Sequence, residues 1–64
     1  MRLNGEPREL PPGTSVQSLL EELGCDPNRV AVEWNRRILR RTEFRNALVS
    51  EGDELEVVTF VGGG

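Results

Sequence analysis

The 64-residue sequence contains no histidine, no lysine and no tyrosine, and all eight of its basic residues are arginine. Those absences remove the usual general base near pH 7, the usual Schiff-base amine and a phenolic acid, so a conventional self-contained active site is not expected. The single cysteine, Cys25, leaves no internal disulfide. Secreted domains this small are ordinarily held by several, which makes the cytoplasm the expected compartment. No apolar run approaches the ~20 residues of a membrane span. The start, Met1-Arg2-Leu3-Asn4-Gly5, lacks the apolar segment of a targeting peptide and reads as the entry to a strand. A chain near 60 residues buries only about 60% of its unfolded surface, so the stability margin is thin and a deep substrate pocket would compete with the core.

What is present reads as alternating short strands and one helix. Asn4-Gly5 is a strong two-residue hairpin signal, because a type I′ turn needs φ > 0 at both central residues. It predicts strands at Met1–Leu3 and Glu6–Leu10, the second ended by Pro11-Pro12-Gly13. Thr14 or Ser15 should cap a helix, and Thr14 with Gln17 fits a capping box. Val16, Leu19, Leu20 and Leu23 then form one apolar stripe at helical spacing, with Gly24 placed to stop the helix. Val30–Trp34 reads as a strand, turned by Asn35-Arg36 into a short partner at Arg37–Leu39. Residues Thr42 to Val49 are expected to hold a helical turn packing Phe44 and Leu48, and Glu54–Val61 is the last strand. A single amphipathic helix covering one face of a mixed sheet is the economical way to bury these stripes, which places the chain in the α+β class.

Alternation along the last strand puts Leu55, Val57, Thr59 and Val61 on one face and Glu54, Glu56, Val58 and Phe60 on the other. With Leu55 and Val57 toward the helix, Val58 and Phe60 stand on the open face, suited to anchoring a partner. Beyond them the sequence ends on Gly62-Gly63-Gly64. The expectation is a side-chain-free arm after a domain at 1–61, carrying an α-carboxylate ionised at neutral pH and able to act as a nucleophile.

Val32-Glu33-Trp34-Asn35-Arg36-Arg37-Ile38-Leu39, Glu51-Gly52-Asp53-Glu54-Leu55-Glu56-Val57 and the final Gly63-Gly64, together with Asn4-Gly5, Gly13-Thr14-Ser15-Val16 and Leu19–Leu23, resemble the ThiS family over the whole chain. These are ubiquitin-like β-grasp sulfur carriers of thiamine biosynthesis. Two departures stand out: Arg40 occupies a position where the family commonly has proline, and Gly62 lengthens the arm by one residue. Both leave room for a sister carrier serving molybdopterin synthesis or tRNA thiolation, or for a protein modifier.

The resemblance implies a β-grasp fold, a mixed sheet of about four to five strands with one main helix on one face. It also implies a carrier substrate and not an enzyme. Gly64 would be adenylated by a separate ATP-dependent (ThiF-like) enzyme and converted to a thiocarboxylate with sulfur from a donor protein. The product would hand its sulfur to a thiazole synthase (ThiG-like). Gly62 and Gly63 would thread the partner's channel, while Val58, Phe60 and Val61 dock. The chain itself would bind no cofactor, ATP being the partner's. The residues agree with such a scheme: three extended glycines reach roughly 10 Å at ~3.3–3.6 Å each.

Three other groupings carry less. Arg36, Arg37, Arg40, Arg41 and Arg45 with Glu33 and Glu43 give the segment 33–45 a net charge of +3, against −6 for the rest of a chain at −3. The plain reading is a solvated, salt-bridged edge guarding a short strand; docking to the enzyme partners stays open. RNA is not expected, for want of an aromatic platform beyond Trp34. Cys25 reads as a small apolar residue without an activating cation beyond Arg29. Glu51, Asp53, Glu54 and Glu56 fit no calcium loop, so no metal site is expected, and the glycines lack the Lys-Ser/Thr of a phosphate loop.

Overall fold

The Asn4-Gly5 hairpin forms as its sequence requires, with φ of 51° at Asn4 and 84° at Gly5. In the computed structural model, which describes residues 1–60, it joins β1 (Arg2–Leu3) to β2 (Glu6–Pro7). The element order continues with α1 (Val16–Glu22), β3 (Val30–Trp34), β4 (Arg37–Leu39) and β5 (Glu54–Thr59). The five strands form one mixed sheet in the order β2-β1-β5-β3-β4, with β1 parallel to β5 and the other pairs antiparallel. β5 is therefore central, held on both sides.

Helix α1 lays Val16, Leu19 and Leu20 against the sheet, all of them buried. They meet Val30, Val32 and Leu55 from the strands and Phe44, Ala47 and Val49 from the connection between β4 and β5. Its end is a Schellman motif: Gly24 N–H donates to Glu21 O and Cys25 N–H to Leu20 O, with Gly24 at φ 75°. Cys25 packs against the core edge, the ordinary apolar role its sequence position suggested.

Four expectations are corrected. The strand foreseen at Glu6–Leu10 stops at Pro7. The hairpin register pairs Leu3 with Glu6 and Arg2 with Pro7, and two bonds between Met1 and Arg8 finish it, so Glu9 and Leu10 have no β1 residue opposite them. The cap of α1 is Ser15, whose Oγ accepts from Ser18 N–H at 3.0 Å. The Thr14–Gln17 box does not form, because Thr14 Oγ1 donates to Pro11 O at 2.7 Å and closes the Pro-Pro-Gly turn instead. Leu48 does not pack beside Phe44. A 3₁₀ turn covers only Arg41–Glu43, and the chain at Leu48 then runs extended, bridging to Ser15. Period-two alternation buries Ala47 and Val49 and turns Leu48 outward, 52% exposed. Finally, β5 ends at Thr59 and not Val61; Phe60 N–H still donates to Arg29 O at 2.8 Å, and Val61 lies outside the described residues.

Two asparagines tie the hairpins to β5. Asn4 Oδ1 accepts from Val57 N–H at 2.8 Å, so its side chain continues the β1–β5 ladder where the backbone has turned away. Asn35, at φ 51° in the β3–β4 turn, accepts from Glu54 N–H at 2.9 Å and donates to Asp53 Oδ1 at 3.1 Å. Asp53 Oδ2 also accepts from Ser50 N–H at 2.7 Å. Burial alone would raise the Asp53 carboxyl. Hydrogen bonds from Ser50 and Asn35, the nearby Trp34 indole and the Met1 ammonium outweigh it, and hold that carboxyl below its ordinary value.

The sign of the pH effect follows. A carboxylate whose folded pKa is depressed contributes stability above its unfolded pKa, about 3.9, and that contribution is lost as pH falls through the folded value. The melting-temperature difference between wild type and Asp53→Asn should be largest near neutrality and shrink below about pH 4. A difference constant from about pH 7 to about pH 2 would rule this coupling out.

Candidate functional site

The helix covers one face of the sheet and leaves the other bare. On that bare face the register sets Val58 opposite Ala31, Glu56 opposite Glu33, and Glu33 opposite Ile38. Val58 is 59% and Ile38 66% exposed, and Phe60, continuing the alternation of β5, is 60% exposed. Large apolar groups at such exposure, gathered on one face, mark a surface for contact more than isolated ones do. The structure thus brings two of the anticipated docking residues, Val58 and Phe60, to the open face. Val61, Gly62, Gly63 and Gly64 lie outside the described residues.

Ile38 belongs to this face and was not singled out from the sequence. The signal was one alternation step away: with Leu39 buried in β4, Ile38 must point to the other side. Glu33 and Glu56, directly opposed across β3 and β5, are a second feature of the face. Like charges in that register repel, and Glu54 stands on the same side of β5, so the apolar groups are set beside an acidic row.

The scaffold under this face is firm where β5 leads toward Phe60. Val57 is pinned by Asn4 from one side, and pairs with Val32 in β3 on the other. Residues near the end of the strand are consequently presented at a fixed angle, while the face carries Glu and apolar side chains together with Arg2, which stands in register with Glu54 at its β1 side. Among the described residues no three Cys, Asp or Glu side chains gather as a metal would need, and no helix is long and apolar enough to cross a membrane.

The arginines are placed differently. Arg36, Arg37, Arg40, Arg41 and Arg45 are all exposed, from the turn before β4, through β4 and the 3₁₀ turn Arg41–Glu43, to the residues just after it. Among the described residues the salt bridges expected for them do not form, and the ion pair is Arg29 with Asp26, at 3.8 Å.

Comparison with known proteins gives a consistent result. A family model described as the ThiS family matches residues 1–64. A sulfur carrier protein ThiS of Thermus thermophilus is 39% identical over 62 residues, covering 97% of this chain and 95% of that protein. A thiazole synthase of Paramagnetospirillum magneticum is 44% identical over 62 residues, which are 97% of this chain. The chain spans only about a fifth of the length of that protein and of a second thiazole synthase, from Magnetococcus marinus (19% and 20%). Among solved structures, a thiamine biosynthesis protein (ThiS) from Geobacter metallireducens superposes with a TM-score of 0.82 at 33% identity, covering 98% of this chain and 96% of that one.

Proposed function

The chain belongs to the ThiS family and has its β-grasp fold, and from that premise we propose that it is a sulfur carrier of thiamine biosynthesis, acting in the cytoplasm. The observation that supports this reading most is the bare sheet face, where Val58 and Phe60 stand exposed at the end of the strand that leads to Gly62-Gly63-Gly64. A carrier needs an adhesive surface next to its reactive end and no catalytic side chains of its own.

In this scheme the reacting group is the carboxylate of Gly64. One of its oxygens attacks the α-phosphorus of ATP held by an adenylating enzyme, and pyrophosphate leaves. A persulfide sulfur from a donor protein then attacks the acyl carbon and AMP leaves; a reducing thiol cleaves the remaining S–S bond to release the thiocarboxylate. That sulfur is passed to a thiazole synthase. Gly62 and Gly63 have no side chains to obstruct a channel, so the acyl carbon is delivered in near-attack geometry. The ordering entropy of such an arm is about 1–2 kcal/mol per residue. Contacts at Val58, Phe60 and Val61 offset part of it, and Ile38 extends the same surface. ATP belongs to the partner, and no cofactor is assigned to this chain.

Reconstitution tests the proposal. With an adenylating enzyme of the family, ATP and a sulfur donor, the intact protein should gain the mass of one oxygen-to-sulfur exchange. Phe60→Ala should reduce kcat/KM for that gain by roughly 30-fold, the effect of losing an interface anchor worth about 2 kcal/mol. Its melting temperature should stay close to that of wild type, because an exposed side chain contributes within about 0.5 kcal/mol. An unchanged kcat/KM would remove Phe60 from the docking surface, and no mass gain with any carrier-pathway enzyme would remove the function.

A further inference from the structure

Arg36, Arg37, Arg40, Arg41 and Arg45 are exposed without an ion-pair partner among the described residues. The acid within that stretch, Glu43, is engaged elsewhere: its Oε2 accepts from the backbone N–H of Arg40 at 2.8 Å. Gathered like charges repel one another, and the Glu43 carboxylate offsets only part of the charge of five arginines. Arg41 and Arg45 also line a surface hollow with Gln17, Pro27, Asn28 and Thr42, and no carboxylate is in its wall. The Gln17 amide is turned to Glu21 at 3.2 Å. The guanidiniums are left as the charged donors, and their planar paired N–H groups match a carboxylate.

We propose that this arginine face is a second docking surface, fitted to an acidic patch on a partner protein, with the Arg41–Arg45 hollow receiving a carboxylate of that partner. A protein suits it better than a nucleic acid. Trp34 packs against the core and Phe44 is buried, so no aromatic platform accompanies the arginines. The chain is −3 overall, and Glu33, Glu54 and Glu56 on the bare face would repel an extended polyanion. A compact acidic patch meets the arginines alone. The two surfaces differ in sign, one apolar and acidic and the other basic, so a single partner patch cannot satisfy both.

The test uses the full chain, isotopically labelled, titrated with a decaglutamate peptide and separately with an RNA duplex of equal charge, and followed by NMR. At about 20 mM salt the peptide should give saturable shifts confined to Gln17, Asn28 and the segment 36–45, weakening at least about tenfold at about 300 mM. Arg41→Glu with Arg45→Glu should weaken it at least about tenfold again at low salt, and the RNA should bind less tightly than the peptide. Arg41→Gln with Arg45→Gln carries the same test if the reversed variant folds poorly. Equal peptide binding by wild type and variant, no saturable shift at low salt, or tighter binding of the RNA would overturn the proposal. No step of the titration involves thiocarboxylate chemistry, so its outcome and that of the sulfur-carrier reading are independent.

Discussion

Deleting Gly64 is expected to abolish sulfur loading while leaving the fold untouched. The deletion draws the carboxylate back by one extended residue, ~3.3–3.6 Å. Acyl transfer is sensitive to far less, since a misplacement of about 1 Å can cost on the order of a hundredfold. The expected loss is therefore more than about a hundredfold in the rate of mass gain under saturating partner and ATP. Adding residues after Gly64 should have the same consequence, because the α-carboxylate is then elsewhere. The contrast with Phe60→Ala is diagnostic. A docking defect is overcome by raising partner concentration; a displaced acyl carbon is not. If the shortened chain gained sulfur at a rate close to wild type, Gly64 would not be the reacting residue.

Phe44→Ala is expected to leave the chain largely unfolded at room temperature. Phe44 is 1% exposed and heads the fully buried side chains by volume, set among the helix, the sheet and the β4–β5 connection. Truncating a buried Phe costs about 3–5 kcal/mol. A core in a chain of this size rarely supplies more than about 3–5 kcal/mol in total, so one substitution removes the margin. Leu48→Ala is the matched control. Its side chain is 52% exposed, and its cost should stay within about 0.5 kcal/mol. Circular dichroism and thermal melts of the two variants check the pair. Similar losses for both would mean that Leu48, not the extended Ala47–Val49 alternation, shares the core with Phe44.

Local signals were readable in the sequence wherever neighbours along the chain decide the structure. Asn4-Gly5 dictated its hairpin, the spacing of Val16, Leu19 and Leu20 dictated the helix face, and Asn35-Arg36 turned β3 into β4. What escaped depends on partners distant in sequence. β2 is short because of where β1 pairs, Leu48 faces out because Ser15 bridges to it, and the cap falls on Ser15 because Thr14 is occupied by Pro11. The 3₁₀ turn Pro27–Arg29, capped by Asp26, is set by a two-residue hydrogen bond that hydrophobic periodicity does not register. The side-chain clamps of Asn4 and Asn35 on β5 span more than a dozen residues, so no local pattern announces them.

The same division runs through the site. Val58 and Phe60 were legible from alternation within one strand, and their exposure follows from the burial of Leu55. Ile38 is their companion by alternation from Leu39, but which face Leu39 takes in a strand of three residues is set by its pairing with β3. The arginine cluster was obvious in composition, but its want of salt bridges among the described residues is a property of the folded surface.

Top-down mass spectrometry of the protein isolated from its own cells, grown without thiamine, tests the central claim most directly. The account predicts a species ending at Gly64 in which one carboxylate oxygen is replaced by sulfur, with the exchange located on that residue by fragmentation. A protein found only with an unmodified Gly64 under these conditions, or with sulfur carried on Cys25 instead, would contradict it.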